Sequence, residues 1–227
     1  MFSLAQLVGA FGLAALGGYV LTSPLLRMVS RVFPWALTHI ATKKKIVALS
    51  IDDAPYGESF DKILDALARH DVKVTFFVIS GLIGGREEAL KRAIREGHKL
   101  ENHGSTNSML ALKPRAIVKT EITECDRKLR ELGAAPKFFR PGCGVPTPYM
   151  NTCCSGLGLK VALASNYPHD PLVTSPLVNF WNIRLNLAPG DCIVIHDRSR
   201  TVELLDKLIP YLKSQQYQIV TVDRLFG

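Results

Sequence analysis

Beyond residue 45 the apolar positions of this chain switch repeatedly between short runs and helical steps. Ile46–Leu49 is a brief apolar run, and Phe60, Ile63, Leu64 and Leu67 then recur at the spacing of one helix face. Residues 72–79 (VKVTFFVI) are β-branched and aromatic, the composition of a buried strand. Leu90, Ala93 and Ile94 mark a second helix, closed by Gly97. Val118, Ile122, Cys125, Leu129 and Leu132 step by four and three, and Gly133 stands where a helix-capping glycine belongs. Short strands are predicted near 137–139, 159–164 and 192–195. A last helix is predicted from about 202 to 212, kinked or broken near Pro210, because an internal proline removes a backbone donor. A final strand is predicted at 217–222. Repeated strand–helix units imply a parallel sheet with helices outside, an α/β fold. Seven or so such units suit a distorted (β/α)7-type barrel better than an open sheet.

The first part of the chain follows a different rule. No charged residue occurs from Phe2 to Leu26, a run long enough to cross a bilayer as a helix. Gly9, Gly12, Gly17 and Gly18 within it are common in membrane spans. The expectation is a single-pass N-terminal anchor. The alternative is a signal peptide, with secretion after cleavage, although such a peptide usually begins with basic residues and none precedes this run. The chain then divides into 1–44, an apolar anchor or signal segment with a basic linker, and 45–227, the α/β domain. Phe33, Trp35, Leu37 and Ile40 read as a short amphipathic piece along the membrane interface.

Charge sharpens this division. The net charge is +8, and Arg27, Arg31, Lys43, Lys44 and Lys45 supply five of those charges with no acid among residues 1–45. Basic residues after the span would place the domain on the cytoplasmic side. Because the excess lies beside an apolar stretch and not on a folded face, nucleic acid is not an expected partner. The composition excludes a disordered chain and a fibre. The five cysteines are odd in number and form no CxxC pair, which excludes a disulfide framework and a zinc ribbon. Their usage favours a reducing compartment. One bridge from Cys143 to Cys153 or Cys154 stays open, and Cys125 falls on the apolar face of its helix.

Four predicted strand ends carry polar residues that packing does not explain, and strand ends are where parallel α/β folds collect their chemistry. They are Ser50-Ile51-Asp52-Asp53, Asn102-His103-Gly104-Ser105-Thr106-Asn107, Phe138-Phe139-Arg140-Pro141-Gly142 and Ile193-Val194-Ile195-His196-Asp197. Alone, each has an ordinary explanation. An Asp pair caps turns, a lone His is structural, and an Arg before Pro is a surface charge. Together they supply a carboxylate base, a metal-binding carboxylate and imidazole, an orienting guanidinium and a second imidazole. That set suits metal-assisted hydrolysis of an amide or ester.

In this order, SIDD, HGSTN, RPGC and VIH resemble the motifs of the NodB-like polysaccharide deacetylases, carbohydrate esterase family 4. The resemblance runs from about Lys45 to Phe226 and includes VTFFVIS, REGHKLENH and QIVTV. It implies a hydrolase that removes N-acetyl groups from an amino-sugar polysaccharide or oligosaccharide such as chitin. Asp52 would be the general base, Arg140 the cation that keeps it ionised, and His196 the general acid. Asp53 and His103 would hold a divalent metal, zinc by preference, with cobalt or another divalent ion as alternatives. Pro141 and Gly142 would border the substrate. Asp170 is placed with them, as the best match to the family aspartate that tunes the acid His.

Two departures stand out. The last His of the family's His-x-x-x-His is Asn107, a neutral and weaker ligand for zinc. The third motif continues as Gly-Cys-Gly where many members have proline and an aromatic. A degenerate carbohydrate-binding member and a hydrolase of non-sugar amides are therefore the competing readings.

Overall fold

The computed structural model describes residues 21–227. Its parallel sheet is built on β2 (Ile46–Ala54), whose sequence IVALSIDDA is buried from Val47 onward. A strand covered on both faces needs a continuous apolar run, which this one has until its functional end. β2 pairs with β3 (Thr75–Val78) and β7 (Cys192–His196), and its first residues pair with β8 (Gln218–Val220). From β3 the sheet continues through β4 (Lys99–Asn102), β5 (Phe138–Phe139) and β6 (Lys160–Ala162) to β1 (Ala36–Leu37). Two isolated bridges, His39 to Asp191 and Asn166 to Ile193, tie the β1–β6 end back to the β7 region. The sheet thus wraps toward a barrel but meets itself through single bridges, not through a full ladder.

Helices cover the outside. α2 (Ser59–Arg69) buries Phe60, Ile63, Leu64 and Leu67, and α7 (Thr201–Ser214) buries Leu204, Leu205, Leu208, Ile209 and Leu212. Both feed one core that includes Leu49, Ile51, Phe76 and Ile195. α3 (Glu87–Arg95) and α4 (Arg115–Glu131) cover the β3–β5 side, with Cys125 buried as its position on the apolar face requires. α5 (Pro148–Gly156) is capped by the Thr147 hydroxyl, which accepts from Met150 N. α6 (Pro176–Asn186) starts the same way, with Ser175 accepting from Val178 N. α8 (Val222–Phe226) ends the chain.

Several local expectations change. α7 does not break at Pro210 but runs through it. Pro210 and Asp206 are exposed, so the carbonyl left without its donor meets water, while Leu208, Ile209 and Leu212 hold the turn against the core. The last strand is shorter than 217–222, because Val222 opens α8 and gives its N–H to Thr75 Oγ1 at 2.9 Å. All five cysteines are free, so no bridge joins Cys143 to Cys153 or Cys154.

The described residues before 45, from 21 onward, are part of the folded unit. Of the charge-free run Phe2–Leu26, only 21–26 lie within the described residues, at the start of a helix α1 spanning 21–32. The expected anchor span therefore falls largely outside them. Among the described residues no helix is long and apolar enough to cross a membrane. Leu37, expected in an amphipathic interfacial piece, lies instead in β1, and Phe33 and Trp35 pack on a core containing Phe139 and Val161. Arg27 donates from Nε and Nη2 to the two oxygens of buried Asp191, at 3.0 and 2.8 Å, and also reaches the Asn186 carbonyl.

Gly190 closes this side. Its φ of +85° is one that L side chains avoid, and a Cβ there would collide with the Ile40 carbonyl. Gly190→Ala is expected to cost about 2 kcal/mol or more, read as a lower urea midpoint with an unchanged m-value.

Candidate active site

Register brings the strand-end motifs together. Asp52 on β2 is the direct partner of His196 on β7, and Asn102 on β4 that of Phe139 on β5. His103 and Arg140 follow those last two residues, so all four side chains issue from the same edge of the sheet. The Asp pair needs one more device, because neighbouring residues in a regular strand point to opposite faces. The β2–β3 register shifts between Ile51 and Ala54, and Asp53 adopts φ +63°. Aspartate tolerates this left-handed conformation better than most residues. The irregularity turns Asp53 to the side where Asp52 already points, as bulges beside active sites do.

Arg140 is the fixed point. It is buried, with Nη1 donating to Asp52 Oδ1 at 2.5 Å and to Ser50 Oγ at 2.8 Å. Nε reaches the Ala162 carbonyl at 3.2 Å and Nη2 the Leu163 carbonyl at 3.0 Å. The guanidinium lies 3.8 Å over the Phe77 ring. Asp52 Oδ2 lies 3.8 Å from His103 Nε2.

His196 sits opposite. Its Nδ1 is 3.0 Å from Asp170 Oδ1, and its backbone N–H donates to Asp170 Oδ2 at 2.7 Å. Burial alone would lower the His196 pKa, but the bond and charge of Asp170, with Asp52 and Asp53, outweigh it and raise the value above the ordinary one. The bond at Nδ1 leaves Nε2 as the ring nitrogen available for proton transfer.

Asp53 and His103 make a pair with something missing. His103 Nδ1 lies 2.7 Å from the Arg140 carbonyl, which can only accept, so that nitrogen carries the proton. In the neutral ring Nε2 is then a bare acceptor, and it faces Asp53 Oδ1 at 3.6 Å. Asp53 Oδ1 is buried with no hydrogen-bond partner among the described residues. Two ligands at about 2.1 Å from one tetrahedral ion lie about 3.4 Å apart. Two buried acceptors facing each other, with the imidazole oriented through its other nitrogen, fit a divalent cation.

Asn107 enters differently. Its Nδ2 donates to Asp53 Oδ2 at 3.2 Å, the oxygen that also receives Arg198 Nη2 at 2.6 Å. In this arrangement Asn107 braces the carboxylate as a donor. Among the described residues no three His, Cys, Asp or Glu side chains converge as a metal site. Burial would raise the Asp53 pKa, but His103, His196 and Arg198 together hold it well below the usual carboxylate range.

Asp52, Asp53, His103, Asn107, Arg140 and His196 line one cavity of about 180 Å³, whose remaining wall includes Leu26, Leu163, Tyr167 and Val194. Pro141 is in that wall. Gly142 is not; its missing side chain lets the Ser108 carbonyl approach, which ties the turn after β5 to the loop after β4. Asp170, grouped in the sequence with the substrate residues, lies on the His196 imidazole. His169 pairs with Thr22 Oγ1 at 2.9 Å, on the side of the loop facing α1.

Arg198 and Leu26 were not among the sequence candidates. The signal for Arg198 was its place two residues after His196, in the same loop. Nothing in the sequence ties Leu26 to a cavity formed from residues far along the chain. Asp197, also unassigned from sequence, anchors the loop after β2, accepting from Tyr56 N at 2.7 Å and Ser59 Oγ at 2.5 Å.

A paired carboxylate and guanidinium, a His–Asp couple and two facing buried acceptors stand together at one parallel sheet edge. The Polysaccharide deacetylase family model matches residues 39–162, more than half of the 227-residue chain, and the chain belongs to that family. It is similar to a peptidoglycan-N-acetylglucosamine deacetylase of Bacillus cereus, at 28% identity over 82% of this chain and 90% of the relative. Among solved structures it resembles the Bc1960 peptidoglycan N-acetylglucosamine deacetylase, with a TM-score of 0.81 and 30% identity over 87% of this chain and 95% of that one. The fold alone is shared with wild-type BA3943, a family pseudoenzyme of Bacillus anthracis, at 22% identity and a TM-score of 0.80 over 85% of this chain and 69% of that one. The activity class of the family is hydrolysis of carbon–nitrogen bonds other than peptide bonds.

Asp170→Asn removes the charge that raises His196. The imidazole should then titrate at lower pH by NMR, and the alkaline limb of kcat/KM should move to lower pH with it. An unmoved His196 titration would show that Asp170 does not set it.

Proposed function

We propose that this domain removes N-acetyl groups from the amino-sugar units of a polysaccharide or oligosaccharide, with a divalent metal held by Asp53 and His103. The observation that carries the reading is the facing pair of buried acceptors, Asp53 Oδ1 and His103 Nε2, beside the Arg140–Asp52 pair. Zinc or cobalt bound there would polarise the acetyl carbonyl and supply positive charge to the developing oxyanion. Asp52, held in place by Arg140, takes the proton of the attacking water. His196, protonated with the help of Asp170, gives a proton from Nε2 to the leaving amine nitrogen. Acetate and a free amino sugar result. Burial of Asp52, Asp53 and His103 limits competing water and strengthens each electrostatic contact.

The test is acetate release from acetylated chitooligosaccharides by the full chain loaded with zinc, cobalt or manganese. Activity is expected with at least one ion, and Asp52→Asn should lower it by about 10²–10⁴-fold. No release with any ion, or release unchanged in Asp52→Asn, would overturn the reading.

A second reading, a carbohydrate-binding member without catalysis, has one specific support. Asn107 and Arg198 both donate to Asp53 Oδ2, so a cationic side chain already serves half of that carboxylate. Elemental analysis separates the two readings, since the binder would hold no metal under any loading condition. Asn107→His would place a third strong ligand at the site and should tighten zinc binding roughly tenfold or more, measured by competition with a chelating dye. Unchanged affinity would show that position 107 does not face the ion.

The charge-free run Phe2–Leu26 supports a further element of the proposal, that the domain is held at a membrane through its N-terminal segment.

A further inference from the structure

α1 and α6 are built inside out. On α1, Leu21, Leu25, Met28 and Val32 recur at steps of four and three and are all exposed. The opposite side turns polar groups inward: Ser23, buried, accepts from Tyr167 N at 3.1 Å, and Arg27 pairs with Asp191. α6 repeats the pattern. Leu177, Val178, Trp181 and Leu185 are exposed, while the buried residues are Asn179, Asn182, Ile183 and Asn186. A surface helix of a protein surrounded by water has the reverse arrangement.

The two faces belong to neighbouring elements. Arg27 of α1 reaches the Asn186 carbonyl at the end of α6, and Thr22 bonds His169 in the loop leading to α6. Leu172 in that loop is itself 79% exposed. Nine outward apolar side chains on two adjoining helices and the loop leading to α6 far exceed the isolated exposed leucines of an ordinary surface. The guanidinium of Arg184 stacks on Trp181 at 4.5 Å, and Arg31 is exposed on α1. Tryptophan and arginine beside exposed leucines are the side chains of a headgroup boundary.

We propose that the outer faces of α1 and α6 rest on a lipid bilayer, with their leucines and Trp181 in its interfacial layer. The chemistry of the chain selects lipid over a protein partner. α1 begins within the run of 25 uncharged residues, Phe2–Leu26, so the first two residues of the exposed stripe, Leu21 and Leu25, belong to the longest uncharged stretch of the sequence. The orientation has a consequence for catalysis. Leu26 lies on the inner side of α1 and lines the catalytic cavity, so a bilayer against α1 stands beside the cavity wall. The inference deepens the membrane reading above, which required only a tether; it assigns a face.

The test uses the full chain in vesicles of phosphatidylcholine and phosphatidylglycerol, a fraction of whose acyl chains carry bromine near the headgroup. Flotation reports attachment, and the fluorescence lost in Trp181→Phe isolates the Trp181 signal from that of Trp35. Flotation together with loss of roughly half of the Trp181 emission is the expected result. Leu177→Asp with Leu185→Asp, both at exposed positions, should abolish the quenching while circular dichroism stays unchanged. Flotation without quenching would leave the tether standing and overturn the docked face. In that case a dimer in detergent would assign the face to a second copy, and a monomer would assign it to residues 1–20 of this chain. Failure to float would overturn both readings.

Discussion

The buried ion pair between Arg140 and Asp52 is the contact on which the rest of the site depends. Removing two charges from water costs several kcal/mol per ion, and attraction alone seldom offsets it. Here the offset comes from saturation: Nε and both terminal nitrogens of Arg140 have acceptors, on β2, on β6 and just beyond it, and the ring of Phe77 covers its face. One side chain thus holds three strands at fixed spacing around a buried carboxylate. The carbonyl of the same residue accepts from His103 and sets which imidazole nitrogen faces Asp53. Asp52 and His103 are therefore oriented by one residue, through its side chain and its backbone.

Much of this was legible in the sequence, for a physical reason. A buried parallel strand admits few polar residues, so SIDD, ENHG, FFRPG and VIHD stand out where apolar runs end, and parallel register then gathers those ends at one edge. The structure brings Asp52, Asp53, His103 and Arg140 together at that edge, where the sequence order of the four motifs led one to look. The contact of Asp170 with His196 was less visible, because it depends on how a loop of irregular backbone returns to the sheet. The turn of Asp53 into the site was not visible either, since a left-handed residue within a strand leaves no trace in hydropathy. Arg198 was hidden for a similar reason, as surface arginines after a His-Asp pair are common and only the fold shows which carboxylate one reaches.

The helix errors are equally physical. Periodicity finds helices whose apolar side faces inward, as in α2, α4 and α7. It does not report α6, where the inward positions are Asn179, Asn182 and Asn186 and the apolar positions face out. The asparagines are satisfied there, with Asn179 bonded to the Val173 carbonyl and Asn186 to that of Asn182. Pro210 misleads in the opposite sense. The rule against internal proline holds for an isolated helix, but burial of the side chains around it outweighs one lost hydrogen bond. In each case tertiary context overrode a local rule, and at α6 the exception also marks the outward face of the molecule.

The central claim is that Asp53 Oδ1 and His103 Nε2 face each other because a divalent cation belongs between them. Crystals of the full chain soaked in zinc, with diffraction recorded on both sides of the zinc absorption edge, test it most directly. The account predicts one anomalous peak within coordination distance of both atoms, with His103 Nδ1 still on the Arg140 carbonyl. A map with no peak there at saturating zinc, and Arg198 still on Asp53, would contradict it.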